Sequence, residues 1–277
     1  MITVLKSTLL VLVSVLLIYI GFKAYENSNN FILVTKSLSQ KNSAQKKVRK
    51  KLDKLFEELS LGIYDKHSKN KKNYDLLERQ AKKFHKYANI YLYLFFSVYL
   101  LFVILFYFLD SEFLLMLTAL TALISLFVAL FSPLLIMSVY KNLPILGNVT
   151  LSFESKSIIF VIEKLFSDSN YIVGILVLSF SMIIPILKSL ILLLYGFFKE
   201  TNLAENLLTY IEKIGKWSMA DVFIVAILVV FFSTKQDIYT VIQLQTGLYF
   251  FIGYVLLSMM GTTLLARSQH YFKEAAN

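Results

Sequence analysis

The stretch from Tyr171 to Phe198, YIVGILVLSFSMIIPILKSLILLLYGFF, constrains this chain more than any other. A run of about 20 apolar residues spans a bilayer, so this longer run predicts a tilted transmembrane helix. Lys188 sits deep inside it. An ammonium near the hydrocarbon centre costs roughly 2.5–3.5 kcal/mol on insertion scales, and such residues usually face a polar cavity or a partner. Pro185, three residues earlier, frees a backbone carbonyl and predicts a kink beside the charge. Ser181, seven residues before Lys188, falls two turns away on nearly the same face. Serine, proline and lysine thus mark one inward stripe. The bland alternative is a lysine that snorkels to the headgroups. Mostly apolar sequence continues from Lys188 to Phe198, which argues against so short a reach.

A hydrophobic content of 57% and a mean hydropathy of +0.65 are too high for a soluble domain and mark an integral membrane protein. The absence of cysteine excludes disulfides, thiol chemistry and cysteine-based zinc or iron–sulfur sites. The net charge of +10 is concentrated between membrane spans, where bases outnumber acids by more than two to one over residues 23–87. Attraction to the headgroups of anionic membrane lipids accounts for that placement. Nucleic-acid binding does not fit, because no helix-turn-helix pattern with its own core is present.

The chain opens with MITVLKSTLLVLVSVLLIYIGF, read as a transmembrane anchor over residues 1–22, because a small-x-small cleavage pattern is missing after Ile18. Residues 23–87 form a basic helical region. Val48, Leu52, Leu55, Phe56, Leu59 and Ile63 predict an amphipathic helix from about Ser39 to Ser60, and a second helix starts near Asn73. Together they read as a hairpin resting on the membrane surface, or as a docking site for a partner protein. The membrane domain fills residues 88–277, with spans at about 90–109, 113–137, 171–198, 219–232 and 244–266.

In the 113–137 span Thr118, Thr121, Ser125 and Ser132 line one face. Small hydroxylated residues commonly sit at helix–helix contacts; the other reading is that this face lines the same cavity as Lys188. Leu146-Gly147-Asn148 is a turn signal, which predicts a hairpin with strands near 136–142 and 149–153, followed by a short amphipathic helix at 155–165. Residues 200–217 read as a loop and interfacial helix ending at Trp217, the only tryptophan. Ser218 is a plausible N-cap and Asp221 a favourable carboxylate at the start of the 219–232 span. Residues 233–242 read as a loop, and Gly253 and Gly261 allow close packing of the last span.

Four stretches resemble the paraquat-inducible protein A family of bacterial inner-membrane proteins: PLLIMSV at 133–139, FSMIIPILK at 180–188, IGKWSMADVFIVAIL at 214–228 and ARS at 266–268. Their order and spacing fit over residues 131–272. The family's serine seven residues before an intramembrane lysine falls on Ser181 and Lys188. Its threonine five residues before the closing arginine falls on Thr262, and its aspartate after tryptophan–serine–methionine falls on Asp221. The resemblance implies a four-helix tetraspanin- or claudin-like module with a small extracytoplasmic β-hairpin. Here that all-α membrane module would carry an N-terminal anchor helix and an extra span. It also implies phospholipid transport between inner and outer membranes with a periplasmic partner built of mammalian-cell-entry (MCE) domains. Two departures stand out: the family's cysteine-paired zinc ribbons are missing, and Gln269 and His270 replace its aspartate after the closing motif.

Positive-inside bias would place residues 36–86 in the cytoplasm, and with six alternating spans the 140–169 hairpin too. The family resemblance places that hairpin in the periplasm. We follow the resemblance, since long segments translocate largely regardless of charge. Ser181, Lys188 and Thr262 are then expected to line a cavity opening to the periplasm, with Lys188 holding a lipid phosphate or acting as a proton-linked switch and Asp221 as its counter-charge. A structural scaffold that anchors a partner complex is the alternative. An enzyme is not expected: paired intramembrane carboxylates, a serine–histidine pair and a metal cluster are all missing, no cofactor is implied, and His67, His85 and His270 lie far apart outside the spans.

Overall fold

The computed structural model describes residues 2–43, 66–107, 111–143, 147–198 and 240–275, with a few helical residues between 46 and 53. The elements are α1 (Ile2–Lys41), α2 (Lys66–Phe106), α3 (Ser111–Phe131), β1 (Leu135–Leu143), β2 (Gly147–Lys156) and α4 (Ile158–Ser167). Then come α5 (Tyr171–Leu178), a π-turn (Ser179–Ile183), α6 (Ile184–Phe198), β3 (Thr240–Leu244) and α7 (Thr246–Ala275). Among the described residues five helical stretches are long and apolar enough to cross a membrane: Ser7–Lys41, Lys72–Phe106, Glu112–Phe131, Tyr171–Gly196 and Thr246–Ala266. The chain is therefore a multi-pass, helical membrane protein with one small sheet. The expected 219–232 span lies outside the described residues.

Most of the expected amphipathic helix from Ser39 to Ser60 lies outside the described residues, and the described parts of the polar region continue the two flanking helices. α1 runs without a break from the apolar N-terminal segment to Lys41, and α2 runs without a break from Lys66 into its own apolar half. At 40 and 41 residues, each is about 60 Å long, twice the thickness of a hydrocarbon core. Their polar halves therefore project from the bilayer as a stalk. Leu10, Val13, Leu17, Ile20, Ala24, Ser28 and Ile32 form one buried stripe at spacings of three and four. Ala88, Leu92, Phe95 and Tyr99 form the matching stripe on α2. The pair is antiparallel in constant register: the Phe31 and His85 rings lie 4.8 Å apart, and eleven residues along each helix Asn42 Nδ2 donates to the Tyr74 hydroxyl at 3.3 Å.

α3 is the central helix and touches α1, α2, α4, α6 and α7. It stops at Phe131, short of the expected Met137, because Pro133 has no N–H to donate and disfavours helical backbone at Ser132. The residues released form β1, the middle strand of an antiparallel sheet ordered β2-β1-β3. The β1–β2 hairpin matches expectation, with Leu135 opposite Lys156, Leu143 opposite Gly147 and an irregularity between Val139 and Tyr140. β3 is a correction, since part of it was read as loop and Leu244 as the start of a span. Thr240 pairs with Val139 and Leu244 with Leu135. α4 starts after Ser157, whose hydroxyl caps the helix by accepting from the Phe160 N–H.

The sheet and the stalk lie on the same side of the spans. The Thr150 N–H of β2 donates to the Asn42 carbonyl at the end of α1, at 3.3 Å. On the other face of the bundle, the Phe96 ring of α2 packs over Gly253 of α7, held between the rings of Phe95 and Phe250. A Cβ at position 253 would collide with that ring. Gly253→Ala is expected to destabilise the protein by about 1–3 kcal/mol, as overpacking does. Thermal unfolding in detergent should show the loss, and Phe96→Leu in the same background should recover most of it.

Candidate functional site

The π-turn lies immediately before Pro185. The Ile184 N–H reaches back to the Ser179 carbonyl, one residue further than in an α-helix. Proline cannot donate to the Ser181 carbonyl, and the wider turn absorbs that missing bond within an apolar helix. Past the turn, Ser181, Pro185, Lys188, Ser189, Leu192 and Tyr195 are buried, whereas Ile183, Leu187, Leu190 and Leu194 on the opposite face are exposed. Lys188 is only 1% exposed, so its ammonium does not reach out along the helix surface to the headgroups.

The height of this lysine in the bundle follows from Gly261 of α7. A Cβ there would stand 3.1 Å from Leu192 Cδ1 of α6 and 3.8 Å from Thr118 Cγ2 of α3. α6 and α7 both run away from the sheet end, so Ser189 and Ser258, each three residues earlier, lie at matching heights. Both are buried, and among the described residues their hydroxyls have no hydrogen-bond partner. Lys188 is the residue before Ser189, so its backbone lies near the level of this serine pair. Ser189 and Ser258 were missed in the sequence. A serine beside an intramembrane lysine, and a second three residues before a packing glycine, are the signals that could have found them.

Other expected positions serve different ends. The Thr118 hydroxyl bonds Tyr99 of α2 at 3.0 Å and donates to the Leu114 carbonyl at 2.6 Å. Thr121 donates to Leu117 O of its own helix at 2.7 Å. Ser125 donates across to the Phe250 carbonyl of α7, also at 2.7 Å. Thr118 and Ser125 therefore make contacts to neighbouring helices, whereas Thr121 bonds only its own helix. Thr262 is half-buried, and its hydroxyl is spent on the Met259 carbonyl at 2.7 Å. The structure brings Ser181, Pro185 and Lys188 onto one face. It places Thr262 one residue past Gly261, and Asp221 lies outside the described residues, as do Trp217 and Ser218. Tyr99, which also approaches the Met260 sulfur at 3.2 Å, had no distinguishing signal in its tyrosine-rich span. Among the described residues no group of three His, Cys, Asp or Glu side chains is placed to hold a metal ion.

No curated protein and no solved structure matches the chain. One family does: paraquat-inducible protein A matches residues 114–273, more than half of the sequence. The match takes in almost all of α3, the sheet, the Lys188 helix and α7, and it starts earlier than the four quoted stretches. It leaves α1 and α2 outside. The chain belongs to the paraquat-inducible protein A family.

Proposed function

We propose that this protein is the inner-membrane component of a phospholipid transport system between bacterial inner and outer membranes, working with a periplasmic MCE-domain partner. The observation that carries the reading is the burial of Lys188 within a membrane-spanning helix broken by a π-turn and proline. Ionisable groups in such positions mark substrate or proton pathways. In this reading the sheet and the stalk face the periplasm, where they meet the partner. Lys188 holds the lipid phosphate or switches with a proton, with Ser181 two turns away on the buried face and Asp221 as counter-charge.

A scaffold that assembles a partner complex without moving lipid is the second reading. It is favoured by the α3 hydroxyls, which serve packing. The deciding experiment is a mild-detergent pull-down of the tagged protein from native membranes, with mass spectrometry of proteins and lipids. Recovery of an MCE-domain protein together with phospholipid is the expected result. A folded, abundant sample that brings down neither would overturn the transport reading, and a partner without lipid would favour the scaffold.

A further inference from the structure

Between α1 and α3 lies an open groove of about 510 Å³, on a face that the Lys188 layer does not use. Gly21 sets its floor: a Cβ there would stand 3.1 Å from Val128 Cγ2 and 3.4 Å from Ile124 Cγ2, so the two helices meet closely at this point. Its walls are exposed side chains, Ile18, Phe22, Phe127 and Phe131 among them. Of the lining residues only Ser14 and Tyr25 carry a polar side-chain atom, and Ser14 turns its hydroxyl back to the Leu10 carbonyl at 2.7 Å. The groove offers hydrocarbon along its length and a phenol at one end.

Position and length name the occupant. The lining lies within the candidate spans Ser7–Lys41 and Glu112–Phe131. From Ser14 to Tyr25 the helix rises about 16 Å, roughly half of a 30 Å hydrocarbon core and so the depth of one leaflet. The Tyr25 and Phe131 end is the sheet end, because α3 stops at Phe131 and β1 begins at Leu135. There the polar surface of α1 also starts, with Lys23 and Glu26 paired at 2.7 Å. We propose that this groove holds one acyl chain of a phospholipid from the sheet-side leaflet, with its headgroup at the level of Lys23 and Tyr25. One wall belongs to α1, which lies outside the family-matched residues.

The test uses the full chain in vesicles of phosphatidylethanolamine and phosphatidylglycerol doped with a phosphatidylcholine that carries a diazirine in one acyl chain. After illumination, adducts are mapped by mass spectrometry. Labelling of segments 14–25 and 120–131 is expected to exceed, several-fold, that of Tyr93, Ile104 and Leu256, which are at least as exposed. Ile18→Trp fills the groove from its exposed side and should remove most of the groove adducts while leaving those three positions unchanged; Leu123→Trp does the same from the other wall. Even labelling over all exposed apolar positions would overturn the proposal and leave ordinary boundary lipid. Crosslinks from the groove to another segment of the chain, or to a second copy, would overturn it in favour of a protein occupant. The assignment stands apart from the transport reading, because Lys188→Met is expected to leave groove labelling intact even where transport is lost.

Discussion

On the transport reading proposed above, Lys188→Met is expected to abolish phospholipid transfer while the protein stays in the membrane at near wild-type amount. Lys188 is among the largest fully buried side chains in the described bundle, so the choice of replacement decides what the experiment reads. Methionine keeps most of the unbranched stem, and near-isosteric swaps in cores usually cost less than about 1.5 kcal/mol. It also removes a charge whose insertion costs roughly 2.5–3.5 kcal/mol, so folding in the membrane should not suffer. Lys188→Ala would add a cavity, and large-to-alanine changes in cores cost about 2–5 kcal/mol. Comparing the two variants separates loss of chemistry from loss of packing. The measurements are transfer of radiolabelled phospholipid from inner to outer membrane, the amount of protein in the membrane, and thermal unfolding in detergent. Wild-type transfer with methionine at 188 would remove the lysine from the mechanism and favour the scaffold.

Gly247→Ala is expected to give the largest loss of stability of any glycine-to-alanine change in the bundle. A Cβ at 247 would stand 2.6 Å from the carbonyl oxygens of both Ser132 and Pro133. These are backbone atoms in a turn that proline stiffens, so neither can swing aside as a side chain would. The Gly247 N–H also donates to Pro133 O at 3.0 Å, and Gln245 N donates to Leu134 O at 2.9 Å. Pushing α7 away therefore breaks the junction that holds the end of α3, the start of α7 and the β1–β3 pairing together. Overpacking of this kind costs roughly 1–3 kcal/mol, a fall in Tm of about 2–5 °C for a protein of this size. Gly261→Ala is the control: its nearest contact is the flexible Leu192 side chain at 3.1 Å, which can turn away. Thermal unfolding of the two variants side by side checks the difference, and equal Tm values would show that the α3–α7 junction yields more easily than its backbone contacts imply.

Much of the architecture was legible because the bilayer leaves few choices. Apolar runs of sufficient length become spanning helices wherever they occur, and a lysine with a proline and a serine on its face inside such a run is visible by counting. The β1–β2 hairpin was legible too, since its turn signal and alternating strand are local. β3 was not. Five residues, Thr240–Leu244, are strand only because β1 offers them an edge about a hundred residues earlier in the chain. The end of α3 was misplaced by apolar content, which runs past Phe131 although Pro133 ends the helix.

At the site, sequence alone singled out Lys188, Ser181 and Pro185, because polar groups and proline are anomalies in a hydrocarbon-spanning helix. It could not decide between packing and lining for Thr118, Thr121 and Ser125, since a hydroxyl on a helix face reads the same either way. Tertiary structure shows where two of them bond: Ser125 meets the Phe250 carbonyl and Thr118 meets Tyr99. It also decided that α1 and α2 continue past the membrane as one antiparallel stalk beside the sheet, because burial of the α1 stripe depends on a facing stripe that lies far along the chain. The sequence determined which segments enter the membrane, through their transfer energy. Only the packing of helix against helix determined which of the described polar groups bond across to a neighbouring helix.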